Sequence, residues 1–274
     1  MQGIWNRLKA EWYRKGLKYS TLPGTAVPFI LSKAAGARTF LDAGAGCGTL
    51  AIPLAKKGKK ITALDPSRAM LAVLDEEIKR QGLEKKIKTI LAAWGQTPLK
   101  PHDVVICANV PQLLKGNEPF LRDADALSKR AVFLIESADP NADKFYYKDL
   151  YPLIFKKKFN ERTDYLETVK LLHSMGIFAN VEIIEYDFDQ PLADMDEAVL
   201  FWKEHMGIVT EEHDSTLRNY LKKRLVKKHV PAGSKRGGNI LFAPFHKKAA
   251  IIWWVKHVPA GFKRGKAAAK TRKT

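Results

Sequence analysis

Short apolar runs and amphipathic stretches take turns along most of this chain. Residues 39–42, 60–64, 87–91, 103–108 and 131–135 are brief and mostly apolar, as strands covered on both faces are. Between them, 49–57, 67–81 and 119–128 repeat their apolar positions at helical spacing. Regular alternation of strand and helix predicts an α/β fold, a Rossmann-like doubly wound and mostly parallel sheet. Ahead of it, Ile4, Trp5, Leu8 and Trp12 share one face of a helix, and 27–35 reads as a second helix preceded by Pro23 and Gly24. Beyond it, 180–187 and 249–255 read as further strands, making seven, with helices over 194–206 and 211–228. The stretch between the fifth and sixth strands is long and aromatic, with Phe145, Tyr146, Tyr147, Tyr151, Phe155, Phe159 and Tyr165. These rings fit a satellite core covering the edge of the sheet.

Composition narrows the class. A chain of 274 residues, 46% hydrophobic, is long enough to bury a substantial core. Its longest uninterrupted apolar run, 249–255, is far short of the ~20 residues needed to span a bilayer, so no membrane partner is expected. The N-terminus intersperses Arg7, Lys9, Arg14, Lys15 and Lys18 among apolar residues, unlike the continuous apolar centre of a secretory signal. Cys47 and Cys107 are too few for a disulfide framework and form no zinc motif, which fits a reducing, cytoplasmic setting.

The net charge of +18 is unevenly placed. Of the 47 lysines and arginines, 17 lie after residue 214, where there is no Asp or Glu, which leaves 30 basic against 29 acidic residues before that point. The region also holds a near-repeat, Val226-Lys-Lys-His-Val-Pro-Ala-Gly-Ser-Lys-Arg-Gly237 returning as Val255-Lys-His-Val-Pro-Ala-Gly-Phe-Lys-Arg-Gly265. A solvated, flexible tail over 256–274 accounts for the terminal charge, and a phosphate-holding arm for nucleic acid is the alternative.

The loops after the strands carry the chemistry, because doubly wound sheets bind ligands beyond the carboxyl ends of their strands. Phe40-Leu-Asp-Ala-Gly-Ala-Gly-Cys-Gly48 follows the first strand. Gly44, Gly46 and Gly48 are spaced Gly-x-Gly-x-Gly, whereas a dinucleotide fingerprint would place its third glycine where Thr49 stands. Asp42 precedes them and would repel a pyrophosphate while attracting a cation such as the aminopropyl end of S-adenosylmethionine. Asp65 ends the second strand, where a carboxylate can accept from ribose hydroxyls. An ordinary tight turn for the glycines and a helix N-cap for Asp65 are the plainer readings.

With these residues in view, Asp-Ala-Gly-Ala-Gly-Cys-Gly followed by Leu-Asp-Pro-Ser-Arg-Ala-Met-Leu resembles motifs I and II of class I S-adenosylmethionine-dependent methyltransferases. The resemblance implies S-adenosylmethionine as cofactor and S-adenosylhomocysteine as product. It implies a cofactor site of Asp42, Gly44, Ala45, Gly46, Gly48, Asp65, Pro66, Ser67 and Met70. Further along, it implies Ala93 and Trp94 beside the adenine, although the acid usual there is missing, and Asn109 and Val110 beside the methionine moiety. Family topology places the last strand antiparallel beside the fifth. The implied organisation is N-terminal helices over 1–36 capping the cofactor site, a methyltransferase domain over 37–255 with helical lid elements at 138–180 and 190–230, and the basic tail. Asn109-Val-Pro-Gln is neither Asn-Pro-Pro-Tyr nor a Pro-Cys nucleophile, which disfavours amide or adenine N-methylation and cytosine C5 methylation. The expected acceptor is a small molecule, with RNA or ribonucleoprotein as the alternative. No catalytic residue is singled out among His173, His205, Glu136 and the insertion's tyrosines, and no metal is expected.

Overall fold

The computed structural model describes residues 5–159, 165–230 and 238–256. The chain begins with α1 (Arg7–Leu17) and α2 (Leu22–Lys33). Asn6 caps α1 by accepting the Lys9 amide. Pro23 lies inside the first turn of α2 rather than before the helix, a position where its missing N–H is not needed.

The βα units follow: β1 (Thr39–Ala43), α3 (Ala51–Lys56), β2 (Lys60–Asp65), α4 (Arg68–Arg80), β3 (Ile87–Leu91) and β4 (His102–Ala108). After a one-turn helix, α5 (Pro111–Leu114), come α6 (Glu118–Leu127) and β5 (Ser128–Ser137). The insertion contains α7 (Tyr147–Phe155) and α8 (Tyr165–Ser174), and leads to β6 (Asn180–Asp187) and β7 (Gln190–Leu192). The remainder is α9 (Met195–Met206), α10 (Asp214–Lys222), β8 (Val226–Val230), β9 (Gly238–Ala243) and β10 (His246–Val255).

The main sheet has seven strands in the order β3-β2-β1-β4-β5-β10-β6. Strands β1 to β5 are mutually parallel, and β10 runs antiparallel to both β5 and β6, pairing Trp253 with Phe133 and with Asn180. The expected α/β class, the seven strands and the antiparallel last strand are all present. Strand order reverses between β1 and β4, which opens the crevice above their carboxyl ends. One apolar cluster covers one face of the sheet, with Phe40, Ile106, Phe133 and Ile251, and another covers the opposite face, with Leu41, Val105, Leu134 and Ile252. Adjacent residues of each strand serve opposite clusters, as the two-residue period of a strand requires.

Two expectations need correction. The helix read over 211–228 stops at Lys222, and Val226–Val230 is a strand instead. It belongs to a second, three-stranded sheet, β7-β9-β8, so the stretch 190–230 is helical only in its middle. Leu217 and Leu221 set a helical spacing, but antiparallel pairing with β9 decides the backbone from Val226 onward. That small sheet shares a core with α9, α10 and α7, in which Trp12, Phe201 and Trp202 are buried. The second copy of the near-repeat and the basic tail lie outside the described residues beyond Lys256. Among the described residues no helix is long and apolar enough to cross a membrane.

Candidate cofactor and acceptor site

The bend after β1 is shaped by steric need. Gly44 has φ +76°, and a Cβ there would stand 2.4 Å from Val110 Cγ2. Gly48 has φ +86°, and a Cβ would meet Leu74 Cδ1 at 2.5 Å. At either position an L side chain would suffer both a disfavoured backbone and a collision. Gly44 and Ala45 donate their amides to the Leu64 carbonyl, which ties the bend to the end of β2.

Asp65 completes that tie. Its Oδ2 accepts from the Gly46 amide at 2.9 Å and its Oδ1 from the Ser67 amide at 2.8 Å. The helix cap itself is Ser67, whose side chain accepts from the Met70 amide, so the N-cap alternative for Asp65 falls away. A carboxylate has about four acceptor positions, so each Asp65 oxygen keeps capacity for a further donor.

Asp42 is 3% exposed and forms no salt bridge among the described residues. Burial, reinforced by the charge of Asp65, pushes its carboxyl up to about 7, against the smaller opposing effect of the Ala51 amide. A buried acid with no cation beside it is matched by a ligand that brings one. The aminopropyl ammonium of S-adenosylmethionine would do so, and the second lone pairs of Asp65 suit ribose hydroxyls.

All the predicted site residues except Gly48 line a single cavity of about 1460 Å³. Gly48 instead lies against Leu74 and Ile52, permitting the turn rather than facing the cavity. Trp94 is at the wall, with its ring edge-on to Phe120 at 4.8 Å and its Nε1 donating to Asp123. Asn109, a non-glycine residue at φ +55°, follows the last residue of β4 and accepts from Lys247 Nζ at 2.7 Å through Oδ1. Of the candidate bases, Glu136 and Tyr147 line the cavity. His173 does not, and packs edge-on against Phe178. Nor does His205, which stacks on Phe145, lies tilted against Phe201 and is driven down to about 4 by burial.

Sequence reasoning missed several wall residues. Trp5 and Tyr13 enter from the N-terminal segment, whereas α2 contributes nothing and packs on β6 and α3. Tyr186, Phe188, Phe245, Lys144 and Lys247 enter from around β6, β10 and the insertion. The insertion's aromatics divide: Phe145, Tyr147 and Phe159 reach the cavity wall, while Tyr146, Tyr151 and Phe155 pack onto the smaller core and Tyr165 onto the sheet. Lys247 stands just ahead of the apolar run of β10, on the strand face of Ala249 and Ile251, a faint signal in the sequence.

Comparison with known proteins agrees with this geometry. Residues 40–129 match the family model of a methyltransferase domain. An uncharacterised protein of Haemophilus influenzae is 26% identical over 216 residues, covering 78% of this chain and 75% of its own. The ubiquinone biosynthesis O-methyltransferase of Methylocella silvestris is 34% identical over 90 residues, which are 32% of this chain and 34% of that protein. The crystal structure of a candidate methyltransferase from Bacillus halodurans shares the fold, with a TM-score of 0.52 at 17% identity over 85% of this chain and 98% of that one. A sheet closed by an antiparallel strand between its fifth and sixth members, and residues 40–129 that match a methyltransferase domain, agree with each other: the chain carries a methyltransferase domain within a Rossmann-like fold.

Proposed function

We propose that this protein transfers the methyl group of S-adenosylmethionine to a small-molecule acceptor by in-line displacement. The observation that carries the reading is the shared cavity. At about 1460 Å³ it exceeds the roughly 300–1,000 Å³ of a single-ligand pocket, and its wall continues from Asp42 and Asp65 to Tyr147, Tyr186 and Phe245. A nucleoside cofactor and a compact acceptor fit there together.

Asp42 would hold the cofactor's ammonium and Asp65 its ribose, with Gly44, Ala45 and Gly46 forming the floor. Pro66, Ser67 and Met70 line the ribose side, Ala93 and Trp94 the adenine side, and Asn109 and Val110 the reacting end. The sulfonium, when bound, supplies an already activated methyl group, so the chain's task is alignment and exclusion of water. Positioning of this kind accounts for up to roughly 7–11 kcal/mol in ideal intramolecular systems. Glu136 and Tyr147, both at the wall, are the groups placed to receive an acceptor proton.

The Methylocella relative is an O-methyltransferase of ubiquinone biosynthesis, which favours a small acceptor here. The alternative of an RNA acceptor rests on the basic C-terminal residues and gains nothing from the relatives. Transfer of radiolabelled methyl from S-adenosylmethionine into fractionated cell extract tests the proposal. Label in the small-molecule pool supports it, and label confined to RNA or protein overturns it.

A further inference from the structure

Two lysines enter the cavity from β10 and from the segment after β5, farther along the strand order than the glycine bend. Asp42, Asp65 and Ala93 lie at the β1-β2-β3 end of the strand order, whereas Lys247 begins β10 and Lys144 follows β5. Lys247 is paired in register with Tyr186 of β6, donates to Asn109 Oδ1 at 2.7 Å and stands 6.0 Å from the Tyr186 ring. Lys144 Nζ lies 3.3 Å from the centre of the Phe188 ring. Neither ammonium belongs to a salt bridge among the described residues. Their sequence and spatial neighbours differ: Lys248 pairs with Glu185 at 3.0 Å, and Lys228 with Asp189 at 2.7 Å.

The charges facing the two lysines can be named. Lys144 faces Lys247 and Asp189, and Lys247 faces Glu136. Asp189 is already engaged by Lys228 and by the Phe245 amide. Burial, then repulsion from Lys247, holds Lys144 down to about 7, and burial holds Lys247 down to about 8. Two half-buried cations without paired carboxylates carry a desolvation cost and repel each other, and an anion between them relieves both. Phe188, against Lys144, and Phe245 and Tyr147, elsewhere on the same wall, supply apolar surface for the rest of such a molecule.

We propose that Lys144 and Lys247 form an anion-reading subsite in the acceptor half of the cavity, and that the methyl acceptor is a compact, partly apolar molecule bearing an oxyanion group, carboxylate or phosphate, held between them. The inference rests on the small-molecule reading above and specifies its substrate class. It assigns the lysines to acceptor selection and not to cofactor binding.

The test uses the full chain. A small-molecule extract is separated on an anion exchanger, desalted, and each fraction is offered as acceptor with radiolabelled S-adenosylmethionine. Calorimetry with S-adenosylhomocysteine runs in parallel on the wild type, Lys144→Met, Lys247→Met and the Lys144→Arg/Lys247→Arg double variant. The expected acceptor is in the retained fraction. Each Met variant should lower the rate at dilute acceptor about tenfold or more, the loss of one charge-assisted hydrogen bond. The double Arg variant should keep most of the rate, and S-adenosylhomocysteine affinity should stay within about twofold throughout. Phosphatase treatment of the retained fraction identifies the oxyanion, since a phosphate acceptor is destroyed and a carboxylate acceptor survives. Label entering only the unretained fraction overturns the inference, as do Met variants with unaltered rates. A Met variant that loses S-adenosylhomocysteine affinity overturns it differently, by placing the lysines on the cofactor's own carboxylate. If the product binds yet no small-molecule fraction accepts label, the small-molecule reading fails first and takes the inference with it.

Discussion

Asp65 Oδ2 accepts the backbone amide of Gly46 at 2.9 Å, so the acid that ends β2 holds the loop that follows β1. Its other oxygen holds the Ser67 amide at the start of α4. One side chain thereby fixes both edges of the proposed cofactor floor, and its substitution should affect folding and binding together. Asp65→Asn offers one carbonyl oxygen where two amides need acceptors. We expect a loss of about 1–3 kcal/mol in stability and at least about tenfold weaker S-adenosylhomocysteine binding. Chemical denaturation and calorimetry measure the two, and an unchanged affinity would refute the ribose role.

Asp42 should behave oppositely in the two measurements. Its carboxyl sits near 7 in the fold against about 3.9 in an unfolded chain, so the folded state holds a proton that the unfolded state has released. Stability contributed by this group therefore rises as pH falls from about 8 toward 4 and is lost as pH rises through about 7. Asp42→Asn should stabilise the cofactor-free protein at pH 8 by roughly 1–3 kcal/mol and flatten that pH dependence. It should also weaken S-adenosylmethionine at least about tenfold by removing the partner of its ammonium. Thermal melts from pH 5 to 8.5 with and without the substitution decide the matter; equal slopes would remove Asp42 as their source.

Cofactor affinity of the wild type should fall below about pH 7 for the same reason, because a protonated Asp42 offers no charge to the ammonium. The decline should track one proton in a calorimetric pH series and be absent in Asp42→Asn. Affinity that is flat from pH 5.5 to 8 would show that the carboxylate is not read by the cofactor.

Gly44→Ala should damage the site through Val110. The added Cβ would stand 2.4 Å from Val110 Cγ2, and φ +76° remains disfavoured for alanine. Affinity for S-adenosylhomocysteine is expected to drop about tenfold or more. Gly44→Ala/Val110→Ala removes the collision but not the backbone strain, so recovery should be partial. Full recovery would mean that the positive φ carries no penalty here.

Trp12 links the N-terminal helix to the smaller core. It is 1% exposed and donates from Nε1 to Glu197 Oε1 at 2.9 Å, while Lys15 reaches the same oxygen at 2.7 Å. Trp12→Ala should cost about 3–5 kcal/mol, and Trp12→Phe only about 0.5–1.5 kcal/mol for the lost hydrogen bond, because Lys15 still engages Glu197. Urea denaturation reads both; a Phe variant as stable as the wild type would show that the Glu197 contact contributes nothing.

What the sequence by itself determined is what neighbouring residues decide among themselves. A glycine bend after a short apolar strand, flanked by Asp42 and followed by Asp65, is local geometry, and the two-residue and 3.6-residue periods that reveal the parallel strands and their helices are local as well. The placement of Asp42, Asp65, Ala93 and Asn109 around one crevice followed because strands of one parallel sheet must end on the same side. Tertiary structure decided the rest. Val226–Val230 became a strand because β9 was there to pair with it, overriding the helical spacing of Leu217 and Leu221. Lys144, Tyr186, Phe188 and Lys247 became one wall only when β10 inserted antiparallel between β5 and β6, bringing together residues separated by up to about a hundred positions in the chain. Contacts of that kind depend on which strands pair, a choice made by the burial of the whole sheet and written in no single segment.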